Sequence, residues 1–483
     1  MHPAVILRIF GLLLMIYSGT LLVPALVATL YGESGMLRFL YSFLATLLCG
    51  LLCWLPAQNQ RRDLRVRDGF IIVSLFWCVL SLFGALPYML GQDLTLDFTD
   101  ALFESVSGFT TTGATVLTGL DQLPKSLLYY RHQQQWLGGL GIIVLAVAIL
   151  PMLGVGGMQL YRAETPGAVK DSKLSPRVME TARSLWHIYI ALTLACALGY
   201  WFCGMDLFDA LCHSFSTVSI GGFSTHDASL GFYNSASIEA VAILFMLLAG
   251  MNFGLHFIAW RRRSLRQYIA DGEVRFYFFV VASVSVLVFI GLLTTTGMAN
   301  PALTLRHALF ESVSVITTTG FGVAQYANWH PMLATTLIMA SFIGACAGST
   351  GGGLKMVRVN LMFKQALREV RRLMHPKAMI LVKLSSRAVP DRVVEAVWGF
   401  FGIYLLTFCM LFMLLLLTGM DFLSSFSAVA ACLNNLGPGL GDVTLHYATV
   451  SDPAKWILCA AMLLGRLEIF TLLVLFTPMF WRH

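Results

Sequence analysis

The chain has 483 residues, of which 57% are hydrophobic and only 12% are charged. This is more apolar surface than the core of one water-soluble protein can hide, so the composition excludes an ordinary soluble domain and indicates a membrane protein. The formal net charge of +7 does not indicate a nucleic-acid partner, because no loop between the apolar stretches is long enough to form a folded basic domain.

Ten apolar stretches follow one another along the chain, and each is close to the ~20 residues that a helix needs to cross a bilayer. They lie near residues 4–30, 39–56, 70–90, 136–154, 183–204, 236–259, 276–296, 332–360, 393–418 and 455–480. The first is too long for the apolar core of a signal peptide, so we expect it to be retained as a span. The pattern predicts an all-α polytopic membrane protein with about ten transmembrane helices.

The loops between these stretches alternate in charge. Lys and Arg cluster in every second loop, at residues 61–67, 162–183, 261–275 and 355–392. Loops rich in Lys and Arg are typically the cytoplasmic ones, so these loops are predicted to lie in the cytoplasm. Because the number of spans is even, both termini are predicted to be cytoplasmic as well.

One segment then occurs four times without gaps, each time between two apolar stretches. The copies run from Asp97 to Gly113, from Asp206 to Gly222, from Thr304 to Gly320 and from Asp421 to Gly437. Each begins with about ten residues of amphipathic helix pattern, too short to span a membrane but suited to a re-entrant helix, and ends in a mostly polar stretch. A single copy would read as a surface loop, but four copies in register argue against that interpretation.

The end of each copy has the residue types that a cation filter needs. Glycine permits positive φ and close backbone approach, so that carbonyl oxygens can turn inward and replace the hydration shell of an ion. The predicted ion ligands are Thr111, Thr112, Gly113, Ile220, Gly221, Gly222, Thr318, Thr319, Gly320, Asn435, Leu436 and Gly437. In the fourth copy the alignment selects Gly437, and Gly439 is the alternative.

Two features predict a gate. The eighth apolar stretch, the only one that we expect to be interrupted, contains the run Gly348, Ser349, Thr350, Gly351, Gly352 and Gly353. A helix disfavours such a run, since each Gly costs roughly 1 kcal/mol relative to Ala, and broken spans mark ion sites and gates. Close packing through small residues is the alternative.

The second gate feature is Arg466, which lies within the last apolar stretch, where a charge is costly unless it faces water or a partner. It is predicted to form an electrostatic barrier beneath the filter. A static pair with Glu468 or with a pore-helix carboxylate is the alternative. Glu104 and Glu311, which share one place in copies one and three, are expected to form structural hydrogen bonds behind the filter.

The predicted organisation is two N-terminal spans followed by four pore repeats around one pseudo-fourfold axis. The boundaries are 1–60 for the two spans and 61–160, 161–265, 266–375 and 376–483 for the repeats, the third with an interrupted second span.

The filter sequences resemble the Trk/Ktr/HKT superfamily of cation transporters, and within it the bacterial Trk potassium uptake proteins of the TrkH/TrkG type. The likeness covers essentially the whole chain, and its motifs are Thr-Thr-Thr-Gly-Ala-Thr, Ser-Ile-Gly-Gly-Phe-Ser-Thr-His, Thr-Thr-Thr-Gly-Phe-Gly, Asn-Asn-Leu-Gly-Pro-Gly-Leu-Gly and residues 156–164, 347–355 and 463–468. In the wider family a serine at the first filter glycine accompanies sodium permeation, so Gly113 implies potassium. Gly322 departs from the family pattern, in which a hydroxyl residue is expected there.

The resemblance implies uptake of K+ across the bacterial inner membrane, with no organic cofactor. It also implies a homodimer with two separate pores and a cytosolic, nucleotide-binding regulatory ring subunit. The basic segment from Lys364 to Arg392 is predicted to contact either that regulator or anionic membrane lipid.

Two other functions are alternatives to a potassium channel. A potassium symporter coupled to H+ or Na+ would need buried acid or histidine relays, and the apolar stretches offer little beyond Arg466 and Glu468. A membrane enzyme would need a Ser/His/Asp, Cys/His or metal-ligand cluster at usable spacing, and none is found.

Overall fold

The computed structural model describes residues 3–59, 66–91, 94–144, 176–295, 300–384 and 387–481. The α-helices of these residues are α1 (Pro3–Thr20), α2 (Leu22–Leu30), α3 (Met36–Trp54), α4 (Val66–Gly84), α5 (Leu86–Met89), α6 (Phe98–Phe109), α7 (Lys125–Val144), α8 (Pro176–Phe202), α9 (Leu207–Ser219), α10 (Ala236–Ala249), α11 (Phe253–Arg262), α12 (Arg266–Ala270), α13 (Gly272–Thr295), α14 (Pro301–Ile316), α15 (Pro331–Ser341), α16 (Met356–Met374), α17 (Asp391–Leu417), α18 (Phe422–Leu433), α19 (Asp452–Arg466), α20 (Phe470–Leu473) and α21 (Pro478–Trp481). Within the described residues the only strands are β1 (Lys383–Leu384) and β2 (Arg387–Ala388), which form a short antiparallel hairpin. The predicted all-α class is confirmed.

The helices are long and apolar where the sequence predicts spans. Six described segments are long and apolar enough to cross a membrane, namely Pro3–Leu30, Met36–Ala57, Asp68–Met89, Arg183–Phe202, Gly272–Thr295 and Asp391–Leu417. Large side chains on their outer faces, such as Leu52 (70% exposed) and Leu406 (71% exposed), are largely exposed. Lipid is the environment that accepts such apolar faces.

Of the other four predicted stretches, one is described only in part and three differ from a single straight span. The stretch near 136–154 begins within α7, and its end, together with the motif at 156–164, lies outside the described residues. The remaining three, near 236–259, 332–360 and 455–480, are broken helices. The expectation that only the third copy precedes a break is therefore wrong.

The break after the second copy is the sharpest departure from the expected straight helix. Helices α10 and α11 are separated by three residues and bent by 93°. The Asn252 side chain accepts a hydrogen bond from the Gly254 amide at 2.7 Å, which caps the start of α11. The sequence signal was only Gly-Met-Asn, much weaker than the glycine run of the third copy.

The four short helices α6, α9, α14 and α18 each precede one of the four repeated polar loops. Asp97, Asp206 and Asp421 cap α6, α9 and α18 by accepting hydrogen bonds from backbone amides of the first turn. In the third copy the helix begins three residues earlier than the alignment start at Thr304. There Asn300 is the cap and Pro301, whose φ suits a first helical position, opens the helix.

Candidate ion filter and gate

The four polar loops have the same backbone conformation. The residue two before the last glycine of each copy is left-handed, at Thr111 (φ +51°), Ile220 (+56°), Thr318 (+63°) and Asn435 (+55°). The last glycine is also at positive φ, at Gly113 (+83°), Gly222 (+78°), Gly320 (+80°) and Gly437 (+96°). Residues other than glycine rarely adopt this backbone conformation. Its appearance at four equivalent positions therefore shows that the surrounding structure imposes it.

One backbone hydrogen bond holds each loop on its short helix. The amide of the residue before the glycine donates to a carbonyl of the last turn, in the pairs Thr112–Ser107 (2.9 Å), Gly221–Ser216 (2.8 Å), Thr319–Ser314 (2.8 Å) and Leu436–Ala431 (2.7 Å). Because these amides are used to hold the loop, the carbonyl oxygens are the polar groups that the loop can present to an axis.

The four loops close into a ring. A Cβ built on Gly113 would lie 2.3 Å from the Gly221 carbonyl oxygen, and a Cβ on Gly222 would lie 2.0 Å from the Thr319 carbonyl oxygen. A Cβ on Gly320 would lie 2.0 Å from the Leu436 carbonyl oxygen, and a Cβ on Gly437 would lie 2.6 Å from the Thr112 carbonyl oxygen. Each glycine therefore touches the residue before the glycine of the next copy, and the fourth copy returns to the first. A side chain at any of the four would displace a backbone carbonyl.

Gly439, the alternative in the fourth copy, lies outside this ring. Its amide donates to the Val443 carbonyl at 3.0 Å, and a Cβ would meet the Val443 side chain at 2.6 Å. Gly437 is the structural equivalent of the other three glycines.

The carboxylates behind the loops form structural hydrogen bonds, as predicted. Glu104 is fully buried and accepts from the Val116 amide at 3.0 Å and from the Thr115 hydroxyl at 3.0 Å. Glu311 accepts from the amides of Val323 (2.8 Å) and Ala324 (3.0 Å). Each carboxylate thus holds the chain that leaves its loop.

The other two copies make equivalent bonds with different residues, and the fourth copy does so one residue before the equivalent position, which is Ala428. In copy two, His213 Nε2 lies 3.0 Å from the Ser224 hydroxyl. In copy four, the Ser427 hydroxyl accepts from the Leu440 amide at 2.8 Å and donates to the carbonyl of the same residue at 3.0 Å. The role is shared by all four copies although the residue types differ.

Arg131 is a fully buried cation that the sequence pattern did not single out. It lies on α7, where its Nε donates to Glu104 at 2.8 Å and its Nη1 to the Ser224 carbonyl at 3.3 Å. Its guanidinium also lies 4.2 Å from the ring centre of Phe223. Arg131 therefore joins the first copy to the second. The available signal was the polar run Arg-His-Gln-Gln-Gln at 131–135, directly before the apolar stretch near 136–154.

The glycine-rich segment predicted as a gate folds as a loop against the inner ends of the short helices. The Gly352 amide donates to the Thr318 hydroxyl at 2.7 Å, and a Cβ on Gly352 would lie 1.9 Å from the Asn434 carbonyl oxygen. The Thr350 hydroxyl donates to the Val218 carbonyl at 3.0 Å. The loop thus contacts copies two, three and four where their polar loops begin.

The same loop also contains Gly348, Ser349, Gly351 and Gly353. Gly348 and Gly353 have positive φ (+72° and +73°), and the Ser349 hydroxyl donates to the Cys346 carbonyl at 2.6 Å. A Cβ on Gly351 would lie 2.8 Å from the Thr317 carbonyl oxygen. Small residues are needed here because backbone and side-chain atoms, such as the Ala345 Cβ at 2.6 Å from a Cβ on Gly351, leave no room for larger ones.

Two cations hold the carbonyls of this loop. Arg466 Nη1 donates to the Thr350 carbonyl at 2.8 Å, while its Nε and Nη2 are buried without a hydrogen-bond partner among the described residues. Lys355 Nζ donates to the next carbonyl, that of Gly351. The predicted alternative for Arg466, a static pair with Glu468, is wrong, because Glu468 accepts from Arg358 at 2.5 Å.

The long apolar helices and the closed ring of four re-entrant loops define a polytopic membrane protein built around a single axis. The chain belongs to the TrkH family of cation transport proteins, whose family model matches residues 36–483. This confirms the resemblance seen in the motifs. Proteins of this family are transporters rather than enzymes, so the membrane-enzyme alternative is set aside.

Individual relatives match the full length of the chain. It is 52% identical over 479 residues to the Trk system potassium uptake protein TrkH of Vibrio parahaemolyticus, covering 99% of both chains. It is 43% identical over 483 residues to the Trk system potassium uptake protein TrkG of Escherichia coli, covering 100% of this chain and 99% of that protein. The crystal structure of the potassium transporter TrkH from Vibrio parahaemolyticus superposes with a TM-score of 0.93 at 49% identity and full coverage of both chains.

Proposed function

We propose that this protein takes up potassium ions across the bacterial inner membrane through the ring of four loops. The single observation that carries this proposal is the closed series of glycine–carbonyl contacts from copy one to copy four and back to copy one. A ring of backbone carbonyls is the arrangement that replaces the hydration shell of K+. Relatives named potassium uptake proteins support the choice of ion.

The ion ligands in this proposal are the backbone carbonyls of the three residues that end each copy. They comprise Thr111 to Gly113, Ile220 to Gly222, Thr318 to Gly320 and Asn435 to Gly437. The short helices point their C-terminal, partially negative ends toward the inner side of the ring, which favours a cation there. No organic cofactor is part of the proposal.

The gate in this proposal is the loop from Gly348 to Gly353 together with Arg466. The loop lies against the inner ends of copies two, three and four, and Arg466 holds it by the Thr350 carbonyl. Arg466 is buried, and its Nε and Nη2 have no hydrogen-bond partner among the described residues. In this proposal its charge opposes K+ while its bond to Thr350 holds the loop. Opening requires the loop to leave the carbonyl contacts of Arg466 and Lys355.

Regulation and orientation follow the family in this proposal. The basic loops and both termini are cytoplasmic, the protein forms a homodimer with two pores, and a cytosolic nucleotide-binding ring subunit controls the gate. Helix α16 continues directly from the gate loop, and its exposed apolar side chains include Phe363 (59% exposed) and Leu373 (84% exposed). Movement of α16 by the regulator or by lipid contact would therefore pull on the gate. The repeat boundaries 61–160, 161–265, 266–375 and 376–483 belong to the same proposal.

A symporter coupled to H+ or Na+ is not favoured. The described buried ionisable groups behind the loops bond to one another or to the chain that leaves each loop. Glu104 pairs with Arg131 and accepts from the Val116 amide, Glu311 accepts from the Val323 and Ala324 amides, and His213 contacts the Ser224 hydroxyl. These contacts brace the loops, and we infer no relay toward the axis from them.

The test is ion flux into liposomes that contain the purified protein. An imposed K+ gradient is expected to drive K+ down its electrochemical gradient at a rate that is unchanged when a proton or sodium gradient is collapsed. Accumulation of K+ against its gradient when only a proton gradient is supplied would overturn the channel mechanism. Equal fluxes of K+ and Na+ would overturn the assigned ion.

A further inference from the structure

The four residues that directly precede the filter glycines, which form one layer of the filter, differ in the size of their side chains. In three copies the residue there has a side chain, Thr112, Thr319 or Leu436, whereas the second copy has Gly221. Gly221 is not at positive φ, so its backbone does not require glycine. Something other than backbone conformation must account for the missing side chain.

The missing side chain is replaced by one from a neighbouring helix. A Cβ built on Gly221 would lie 2.4 Å from both Cδ and Oε1 of Gln135 and 2.8 Å from its Nε2. Gln135 is fully buried on α7, the helix that follows the first copy. The first copy's helix therefore fills the side-chain position in the second copy's loop.

The Gln135 amide bonds to backbone on both sides of the filter glycine Gly222. Its Nε2 donates to the Gly221 carbonyl at 2.6 Å, and its Oε1 accepts from the Phe223 amide at 3.2 Å. These partners fix the amide orientation, because a carbonyl needs a donor and an amide N–H needs an acceptor. One helical turn earlier, Arg131 holds the next part of the same loop through the Ser224 carbonyl.

The Gly221 carbonyl is one of the four that touch the ring glycines, through Gly113. Among the described residues no donor bonds to its three equivalents, the carbonyls of Thr112, Thr319 and Leu436. A donated hydrogen bond restricts a carbonyl and draws electron density from it, and filter selectivity depends on the number and field strength of such carbonyls. Gln135 thus acts on one carbonyl of this layer.

We propose that Gln135 is a positioning residue of the filter, which holds the Gly221 carbonyl and thereby contributes to the selection of K+ over Na+. This inference rests on the proposed function of the ring. It predicts that the selectivity of the pore depends on a residue outside the four loops.

The first test compares two adjacent buried glutamines. Gln135→Leu removes both backbone contacts, whereas Gln134→Leu is the matched control, since Gln134 is also fully buried but bonds Tyr88, Gly84 and Ser105. The permeability ratio of K+ to Na+ is measured from bi-ionic reversal potentials in planar bilayers, and the unfolding temperature is measured alongside it. We expect Gln135→Leu to lower the ratio about fivefold, the effect of one lost hydrogen bond, and Gln134→Leu to lower only the unfolding temperature.

A second variant covers the case in which Gln135→Leu does not fold. Gln135→Glu keeps the size of the side chain and an acceptor for Phe223, but an ionised carboxylate cannot donate to the Gly221 carbonyl. It is also expected to lower the ratio. Equal ratios in wild type and in every folded Gln135 variant would overturn the inference.

A double-mutant cycle tests the steric part. Gly221→Ala alone is expected to destabilise the protein, because its Cβ meets Gln135, whereas in the Gln135→Ala background the added methyl has room. Strictly additive changes in unfolding temperature would overturn the placement of Gln135.

Gly113→Ser, measured in parallel, separates this inference from the proposed function. If Gly113→Ser changes the ratio and Gln135→Leu does not, the filter stands and the role of Gln135 is wrong. If neither variant changes the ratio, the filter assignment itself fails.

Discussion

Compared with the four filter loops, the helices that follow them differ from one copy to the next. The loops repeat one φ pattern and one backbone hydrogen bond on four sequences, Thr-Thr-Gly, Ile-Gly-Gly, Thr-Thr-Gly and Asn-Leu-Gly. The following helices carry, in turn, the polar stripe of α7, the 93° bend between α10 and α11, the loop between α15 and α16 and the buried Arg466 of α19.

The difference shows where each property is encoded. The ring depends on backbone geometry, which tolerates varied side chains provided that one glycine per copy is kept. Gating, and the bracing of the second loop by Arg131 and Gln135, depend on individual side chains that occur in one copy only. Substitutions in the ring should therefore have similar effects in all copies, whereas substitutions in the following helices should have effects specific to one copy.

The largest expected effect is from a methyl group in the ring. Gly222→Ala places a Cβ 2.0 Å from the Thr319 carbonyl oxygen at a φ of +78°, so we expect K+ uptake into liposomes to fall by about tenfold or more, the result of a filter barrier raised by about 1.4 kcal/mol. Gly119→Ala is the control, since Gly119 has a similar φ of +68° but no atom of the described residues within 4 Å of its Cβ position. Similar losses in both variants would attribute the effect to backbone strain rather than to the ring.

The next effect concerns the gate. Arg466→Ala removes the buried cation that holds the Thr350 carbonyl, and shortening Gly348 to Gly353 removes the loop itself. Both changes are expected to raise K+ flux without the regulator, by about tenfold for Arg466→Ala if one charge opposes the ion from about 12 Å at an effective dielectric near 20. Arg306→Ala is the control, because Arg306 pairs with Glu239 and belongs neither to this loop nor to α16. If K+ flux in Arg466→Ala equals that of wild type, the loop is a packing element rather than a gate.

A smaller effect on transport, but a clear one on stability, is expected behind the ring. Arg131→Met leaves the fully buried Glu104 without its cation, which should lower the free energy of unfolding by about 3 kcal/mol. The double variant Arg131→Met/Glu104→Gln should recover part of this loss, because an uncharged amide is cheaper to bury. Denaturant or thermal unfolding in detergent measures both. No recovery in the double variant would mean that packing of Arg131, rather than its charge, is what matters.

The smallest effect is expected at the outer end of the second copy. His226 lies between Asp209, at 3.1 Å from its Nε2, and Asp121, which bonds its Nδ1, and Tyr233 donates to the same Asp209 carboxylate. Burial lowers the pKa of His226, but the hydrogen bonds and charges of Asp209 and Asp121 outweigh burial and raise this pKa above its ordinary 6.5. The hydrogen bond between His226 and Asp121 lowers the pKa of Asp121 below its ordinary value.

Because the pKa of His226 is raised on folding, its stabilising contribution is complete below its ordinary pKa of 6.5 and is lost as pH rises through the raised value. His226→Gln should therefore lower the unfolding temperature by about 1–2 °C in mild acid and by less at alkaline pH. Asp121→Asn should move this loss to lower pH. A difference between wild type and His226→Gln that grows with pH would contradict the account.

The sequence predicts the features that repeat and misses those that do not. Four copies in register revealed the short helices, the caps at Asp97, Asp206 and Asp421, and one glycine per copy, because repetition separates a signal from chance. The bend at Asn252 and the turn at Glu468 and Ile469 occur once each, with short signals that an apolar stretch conceals.

The sequence also does not predict which residues far apart in the chain contact each other. Arg466 was identified by the cost of its burial, but its bond to Thr350, 116 residues away, depends on how two separate breaks meet beneath the ring. Gln135 resembled any polar residue near a span end until its position beside Gly221 was known. Such contacts follow from the packing of copies against one another, which no single copy encodes.

The central claim is that four unequal copies contribute equally to one filter. Its most direct test is the bi-ionic K+ to Na+ permeability ratio of four single variants, Gly113→Ser, Gly222→Ser, Gly320→Ser and Gly437→Ser, in planar bilayers. The account predicts that each variant lowers the ratio, with Gly437→Ser lowering it least because its Cβ has the longest contact, 2.6 Å. A ratio that changes in only one variant, or in none, would contradict a ring shared by all four copies.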